Sequence, residues 1–103
     1  MKIIILALLI LFACALIIPA NSANFRIMFS WEENTESDLQ GYKIYHRKAS
    51  DPNQNYIFSR AFTRAIGAIP IETDEIVYFV LTAYDQYNNE SLPSKEIIFD
   101  PNF

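Results

Sequence analysis

At 103 residues the chain is one domain at most, and twelve acidic residues against eight basic ones give it a net charge of −4. That balance argues against a nucleic-acid surface, which needs a basic patch to displace counterions, and against peripheral binding to anionic lipid. With one histidine, and one cysteine close to the N-terminus, a multi-histidine metal centre cannot be built, nor a Cys/His nucleophile pair once that end is removed.

Much of the 51% apolar content sits at the start of the chain. Lys2 is followed by a nearly unbroken apolar run from Ile3 to Ile18, then Pro19, Ala20 and the small polar stretch Asn21-Ser22-Ala23. A basic start, an apolar centre and small residues at the end predict a secretory signal peptide over 1–23, cleaved near Ala23. The competing expectation is an uncleaved membrane anchor, for which the run falls a little short of the roughly 20 residues a span needs. Cys14 lies inside the run. Leu11-Phe12-Ala13-Cys14 fits a lipoprotein signal in part, but Phe12 is too bulky for its place, which favours Cys14 as a plain apolar filler. Cleavage leaves one domain over 24–103 with no cysteine, hence no disulfide, and a net charge of −5. The expected location is outside the cell or in the periplasm and cell envelope. Membrane attachment is expected only if 1–23 is retained or Cys14 is lipidated.

From Phe25 to Trp31 the large apolar residues fall at every second position: Phe25, Ile27, Phe29 and Trp31. A period of two predicts a half-buried strand. Met28 is the one apolar residue on its other face. Glu32 to Gln40 is rich in Asn, Thr, Ser and Asp, which bond their own backbone and favour turns. Gly41 opens a second strand, with Tyr42 and Ile44 on one face, Lys43, Tyr45 and Arg47 on the other, and His46 near the inner edge. The predicted core is Phe29, Trp31, Tyr42, Ile44, Phe79 and Leu81.

The string FSWEENTESDLQGYKIY resembles the B strand, BC loop and C strand of fibronectin type III domains, especially those of bacterial exported proteins. A second stretch, YFVLTAYDQYNNES, is similar to the F strand and FG turn of the same family. The resemblance spans about Phe25 to Phe99 and implies an all-β, antiparallel immunoglobulin-like sandwich; it implies far less about function. Two positions depart from the pattern. Val77 stands where the tyrosine-corner residue is expected, and only Asn24 separates the predicted cleavage point from Phe25. The resemblance therefore implies a mature domain without strand A, whose B strand has an open edge.

Farther along, Ser50-Asp51-Pro52-Asn53 is a turn signature, and Tyr56, Phe58 and Phe62 begin an irregular strand. Ile66, Ile69 and Ile71 form another, interrupted by Gly67 and Pro70 and so short or at an edge. Ile76 to Tyr84 is apolar on both faces, as a central strand is. Asp85 to Ser91 is a turn capped by Asp85, and Ile97 and Phe99 belong to the last strand. Regular turn signals without helical periodicity point to a sandwich by themselves.

Alternation places Tyr45, Tyr78, Val80, Tyr84 and Ile98 outward on neighbouring strands, with Tyr87 in the adjoining turn. An apolar and aromatic patch of this kind marks an interaction surface, with β-sheet propensity as the plain explanation. Glu32, Glu33, Glu36 and Asp38 do not have EF-hand spacing and read as a solvated loop in which Asp38 caps the turn. No catalytic constellation stands out, and no cofactor or metal is expected. The predicted function is a small exported non-catalytic module contacting an unidentified protein or glycan. Two alternatives are a subunit that self-associates through the open B edge and a protein tethered by an uncleaved N-terminus.

Overall fold

The computed structural model describes residues 11–14 and 24–102. The predicted signal segment and its cleavage point otherwise lie outside the described residues. Seven strands run in the order β1 (Leu11–Cys14), β2 (Asn24–Trp31), β3 (Leu39–Lys48), β4 (Ile57–Phe62), β5 (Ile66–Glu72), β6 (Val77–Asp85) and β7 (Ile97–Phe99). They form two antiparallel sheets, β1-β2-β5 and β4-β3-β6-β7. The loop after β2 therefore crosses between layers as an arch.

The period of two in β2 is realised as burial: Phe25, Ile27, Phe29 and Trp31 are buried, while Arg26 is exposed and Met28 and Ser30 are partly covered. Their partners come from the other sheet. Phe29 meets Phe79 edge to face with ring centroids 5.0 Å apart, Trp31 meets Tyr42 at 5.1 Å, and Phe25 meets Phe99 at 5.1 Å. Each such pair adds roughly 0.5–1.5 kcal/mol beyond its buried area. Ile44, Leu81, Val77 and Ala83 complete a core with no solvent exposure at those four positions.

Gly41 and Gly67 let the sheets close on Phe62. A Cβ on Gly41 would stand 2.5 Å from the Phe62 carbonyl oxygen, and one on Gly67 would stand 2.2 Å from the Phe62 ring. Val77 fills the tyrosine-corner position as a fully buried aliphatic residue.

The edge of β2 is not open in the full chain: Leu11–Cys14 pairs antiparallel with it, Leu11 opposite Trp31 and Cys14 opposite Met28. The first strand is thus drawn from within the segment whose unbroken apolar character reads as a leader.

Candidate functional site

The outer face of the four-stranded sheet brings Tyr45, Tyr78 and Tyr84 together with residues that the sequence pattern does not single out. The register sets Tyr45 opposite Val80, Lys43 opposite Thr82, Arg47 opposite Tyr78, and Tyr78 opposite Ile98. Two carboxylates then organise the face. The Tyr45 hydroxyl donates to Glu90 at 2.5 Å, the Thr82 hydroxyl donates to the same oxygen at 3.0 Å, and Lys43 Nζ donates to the other oxygen at 3.3 Å. Lys43 Nζ also sits 4.8 Å from the Tyr84 ring centroid. In the second cluster Arg47 donates to Glu96 at 3.1 Å, the Tyr56 hydroxyl donates to the same carboxylate oxygen, and the guanidinium stacks 4.1 Å from the Tyr78 ring centroid.

These contacts shift the ionisable groups together. Burial, then the neighbouring Glu90 carboxylate, push the Tyr45 phenol up to about 12. Burial and Glu96 do the same to Tyr56, also to about 12. Burial works to raise Glu90, but the bonds from Tyr45, Thr82 and Lys43 outweigh it and hold the carboxyl below the usual range. Both phenols are donors at neutral pH, and the Glu90 carboxylate is an acceptor.

The predicted surface residues divide. Ile98 and Tyr87 are well exposed, at 64% and 66%, whereas Tyr45, Tyr78 and Tyr84 are partly covered, the last two each with a cation over the ring. Val80 is buried, with only 5% exposure, and cannot contact a partner directly. Alternation does place it on the outer face, but it stands mid-sheet opposite Tyr45, and large neighbours close over a small side chain there. Phe58, its ring 5.8 Å from that of Tyr45 and half exposed, extends the patch onto β4.

The turn beside the face is fixed by Asp85. Its fully buried carboxylate accepts from the Tyr87 and Asn89 amides at 2.8 and 2.9 Å and from Asn89 Nδ2 at 2.9 Å. Burial works to raise this carboxyl, and the hydrogen bonds prevail and hold it low. Asn88 takes the left-handed conformation that the turn requires, with φ 63°. Asp38 behaves otherwise: its buried carboxylate oxygens make no hydrogen bond, so it does not cap the loop after β2 as expected. The turn there is held by the Leu39 amide donating to the Glu36 carbonyl at 3.2 Å. Among the described residues no three acidic, histidine or cysteine side chains converge as a metal site would need.

His46 lies half-buried at the mouth of a cleft of about 470 Å³ between β4 and β5, its Nδ1 hydrogen-bonded to the Ser59 hydroxyl. Burial, then the nearby Lys48, depress the imidazole below its ordinary value. Among the described residues no carboxylate bonds to the ring, so the pair lacks the orienting third member of a hydrolytic triad.

No family model matches the chain, and no curated relative does either. The solved structures do carry the fold. The chain is similar to the FN1–FN3 domains of chicken CNTN1 (TM-score 0.63, 16% identity), covering 95% of this chain and 32% of that one. It is also similar to a fibronectin type III domain derived from the human KIAA0970 protein (TM-score 0.62, 10% identity, 87% and 71% covered). The twitchin kinase region from C. elegans matches at TM-score 0.59 and 16% identity, over 70% of this chain and 13% of that one. The fold is that of a fibronectin type III-like domain, and this chain spans about an eighth of the twitchin chain and a third of the contactin one.

Proposed function

We propose that the protein is a small exported, non-catalytic fibronectin type III-like module that makes protein or glycan contacts in the cell envelope or outside the cell. The contact surface is the outer face of the four-stranded sheet. The observation that carries the reading is the pair of carboxylate-centred clusters, Glu90 with Lys43, Tyr45 and Thr82, and Glu96 with Arg47 and Tyr56. Tyr and Arg are enriched at contact surfaces, and rings already held in place lose little further entropy on binding. Ile98, Tyr87 and Phe58 supply exposed apolar area around these fixed groups. Export is supported by the leader-like composition of 1–23, and a non-catalytic role by the incomplete Ser59–His46 pair.

A photo-crosslinking residue placed at Ile98 tests this in the exporting cell. A discrete adduct from Ile98, absent when the same residue is placed at Asp51 in a distant turn, is expected. Equal labelling from both sites would contradict the reading.

A further inference from the structure

The two edges of the β1-β2-β5 sheet are built differently. The Trp31 amide donates to the Ala65 carbonyl at 3.1 Å, on the β5 side of β2. Backbone groups alternate along a strand, so Phe25, Ile27, Phe29 and Trp31 bond toward β5 while the amides of Arg26, Met28 and Ser30 face the other edge. By the same alternation Pro70, opposite Arg26, turns its missing N–H to the outside of β5. A proline there blunts the β5 edge against further pairing. From Met28 to Trp31 the β2 edge carries neither proline nor charge, and it is the edge that β1 occupies.

The β2 edge is also self-complementary. Laid antiparallel against its own copy with Phe29 on the two-fold axis, it sets Met28 opposite Ser30, and Arg26 opposite Glu32, one residue beyond the strand, on both sides of the axis. The amides of Arg26, Met28 and Ser30 are the ones that face this edge, so they can bond in this register once β1 has left it. Arg26 and Glu32 are both exposed, and neither makes an ion pair with another described residue. Opposite charges directly across a strand pair favour that register over its slips.

We propose that the outer edge of β2 accepts either β1 or the β2 strand of a second copy, paired antiparallel about Phe29 so that Arg26 of each copy faces Glu32 of the other. The two occupants exclude one another. With β1 docked the chain is a monomer; when β1 is withdrawn, by removal of the N-terminal segment or its burial in a membrane, two copies join into one sheet in the order β5-β2-β2-β5. This dimer leaves the tyrosine face uncovered and does not depend on that face binding anything.

Sedimentation velocity on the full chain and its variants tests the proposal. Phe12→Pro removes the amide that β1 offers to Ser30, so it is expected to convert a monomer into a dimer. Adding Met28→Pro is expected to restore the monomer. In the Phe12→Pro background, Arg26→Glu should weaken the dimer roughly tenfold, as expected for two exposed charge pairs turned repulsive, and Arg26→Glu with Glu32→Arg should recover it. Near-UV circular dichroism of Trp31 reports whether each variant retains its core. A Phe12→Pro chain that keeps that signal and stays monomeric overturns the proposal, as does a dimer that survives Met28→Pro. A dimer weakened by Arg26→Glu but not recovered by the charge swap overturns the assigned register.

Discussion

Tyr45 and Glu90, 45 residues apart in the chain, meet at 2.5 Å on the outer face of the four-stranded sheet, where the phenol donates to a carboxylate already bonded by Thr82 and Lys43. The contact locks a strand side chain to the segment that follows β6. It converts what would be a mobile aromatic on a sheet surface into a fixed feature of it.

That lock has a signature at high pH. The folded phenols of Tyr45 and Tyr56 ionise near 12, above the ordinary value of about 10. The native state therefore holds protons that the unfolded chain has already lost. Their stabilising contribution is complete below about pH 10 and disappears as the pH rises through about 12. A spectrophotometric titration at the phenolate band should show Tyr45 and Tyr56 among the late tyrosines, beside Tyr42, whose phenol burial also raises, and Tyr45→Phe should remove one of them. If Tyr45 and Tyr56 titrate near 10 in the folded protein, the Glu90 and Glu96 clusters do not form as described.

Asp85 sets the opposite limit. Its folded carboxyl is held low, so its contribution is present above about pH 3.9 and is lost as the pH falls toward the depressed native value. Asp85→Asn keeps the shape of the side chain but loses the charge that two amides and the Asn89 side chain bond. The thermal midpoint of the variant should lie below that of the parent at pH 7 and approach it near pH 2. Parallel midpoint curves across that range would remove Asp85 from its role in the turn.

The glycines separate a backbone clash from a side-chain one. At Gly41 the added methyl of alanine meets the Phe62 carbonyl, which the β3–β4 ladder holds in place. At Gly67 it meets the Phe62 ring, which can swing at the cost of its packing against Trp31, 6.0 Å away. Gly41→Ala should therefore cost more, about 1–3 kcal/mol by urea denaturation, as overpacking against a fixed neighbour does. Gly67→Ala should cost less and should perturb the Trp31 fluorescence. The reverse order would mean that the ring, and not the ladder, is the rigid element.

His46 reports on the cleft between β4 and β5. Burial depresses its folded value below the ordinary 6.5, so protonation works against folding as the pH drops through the native value. Its NMR titration should have a midpoint below 6.5. Replacing Lys48 with Met should move that midpoint up by a smaller amount than burial moves it down, because burial is the larger cause. A midpoint at or above 6.5 in the parent protein would mean that the imidazole is solvated.

Local periodicity made much of the sandwich readable. Phe25, Ile27, Phe29 and Trp31 alternate cleanly because one face of β2 is packed and the other is not, and the same holds for Tyr42 and Ile44. Strand β1 is hidden because Leu11–Cys14 lies in a run where every residue is apolar, and such a run has no period to separate a strand from a leader. Val80 follows the alternation rule but is buried, since cross-strand neighbours decide whether an outward residue stays open to solvent. Glu90 and Glu96 escape notice for another reason: each reaches side chains 40 or more residues away from a segment with no strand pattern. Their presence beside Ser91 and Ser94, whose hydroxyls accept from the Ala83 and Leu81 amides at 2.9 Å, shows how that segment is stitched along β6. Only the pairing of strands brings these groups together.

The proposed contact surface is the tyrosine face organised by Glu90 and Glu96. The most direct measurement is the yield of the Ile98 photo-adduct in an Arg47→Ala/Tyr78→Ala background, with the thermal midpoint recorded on the same material. Arg47 and Tyr78 are partly covered on the outer face, the guanidinium 4.1 Å from the ring centroid, and neither belongs to the buried core between the sheets. The account predicts that the adduct disappears while the midpoint moves by only a few degrees. An undiminished adduct from a protein that has lost both side chains would contradict it.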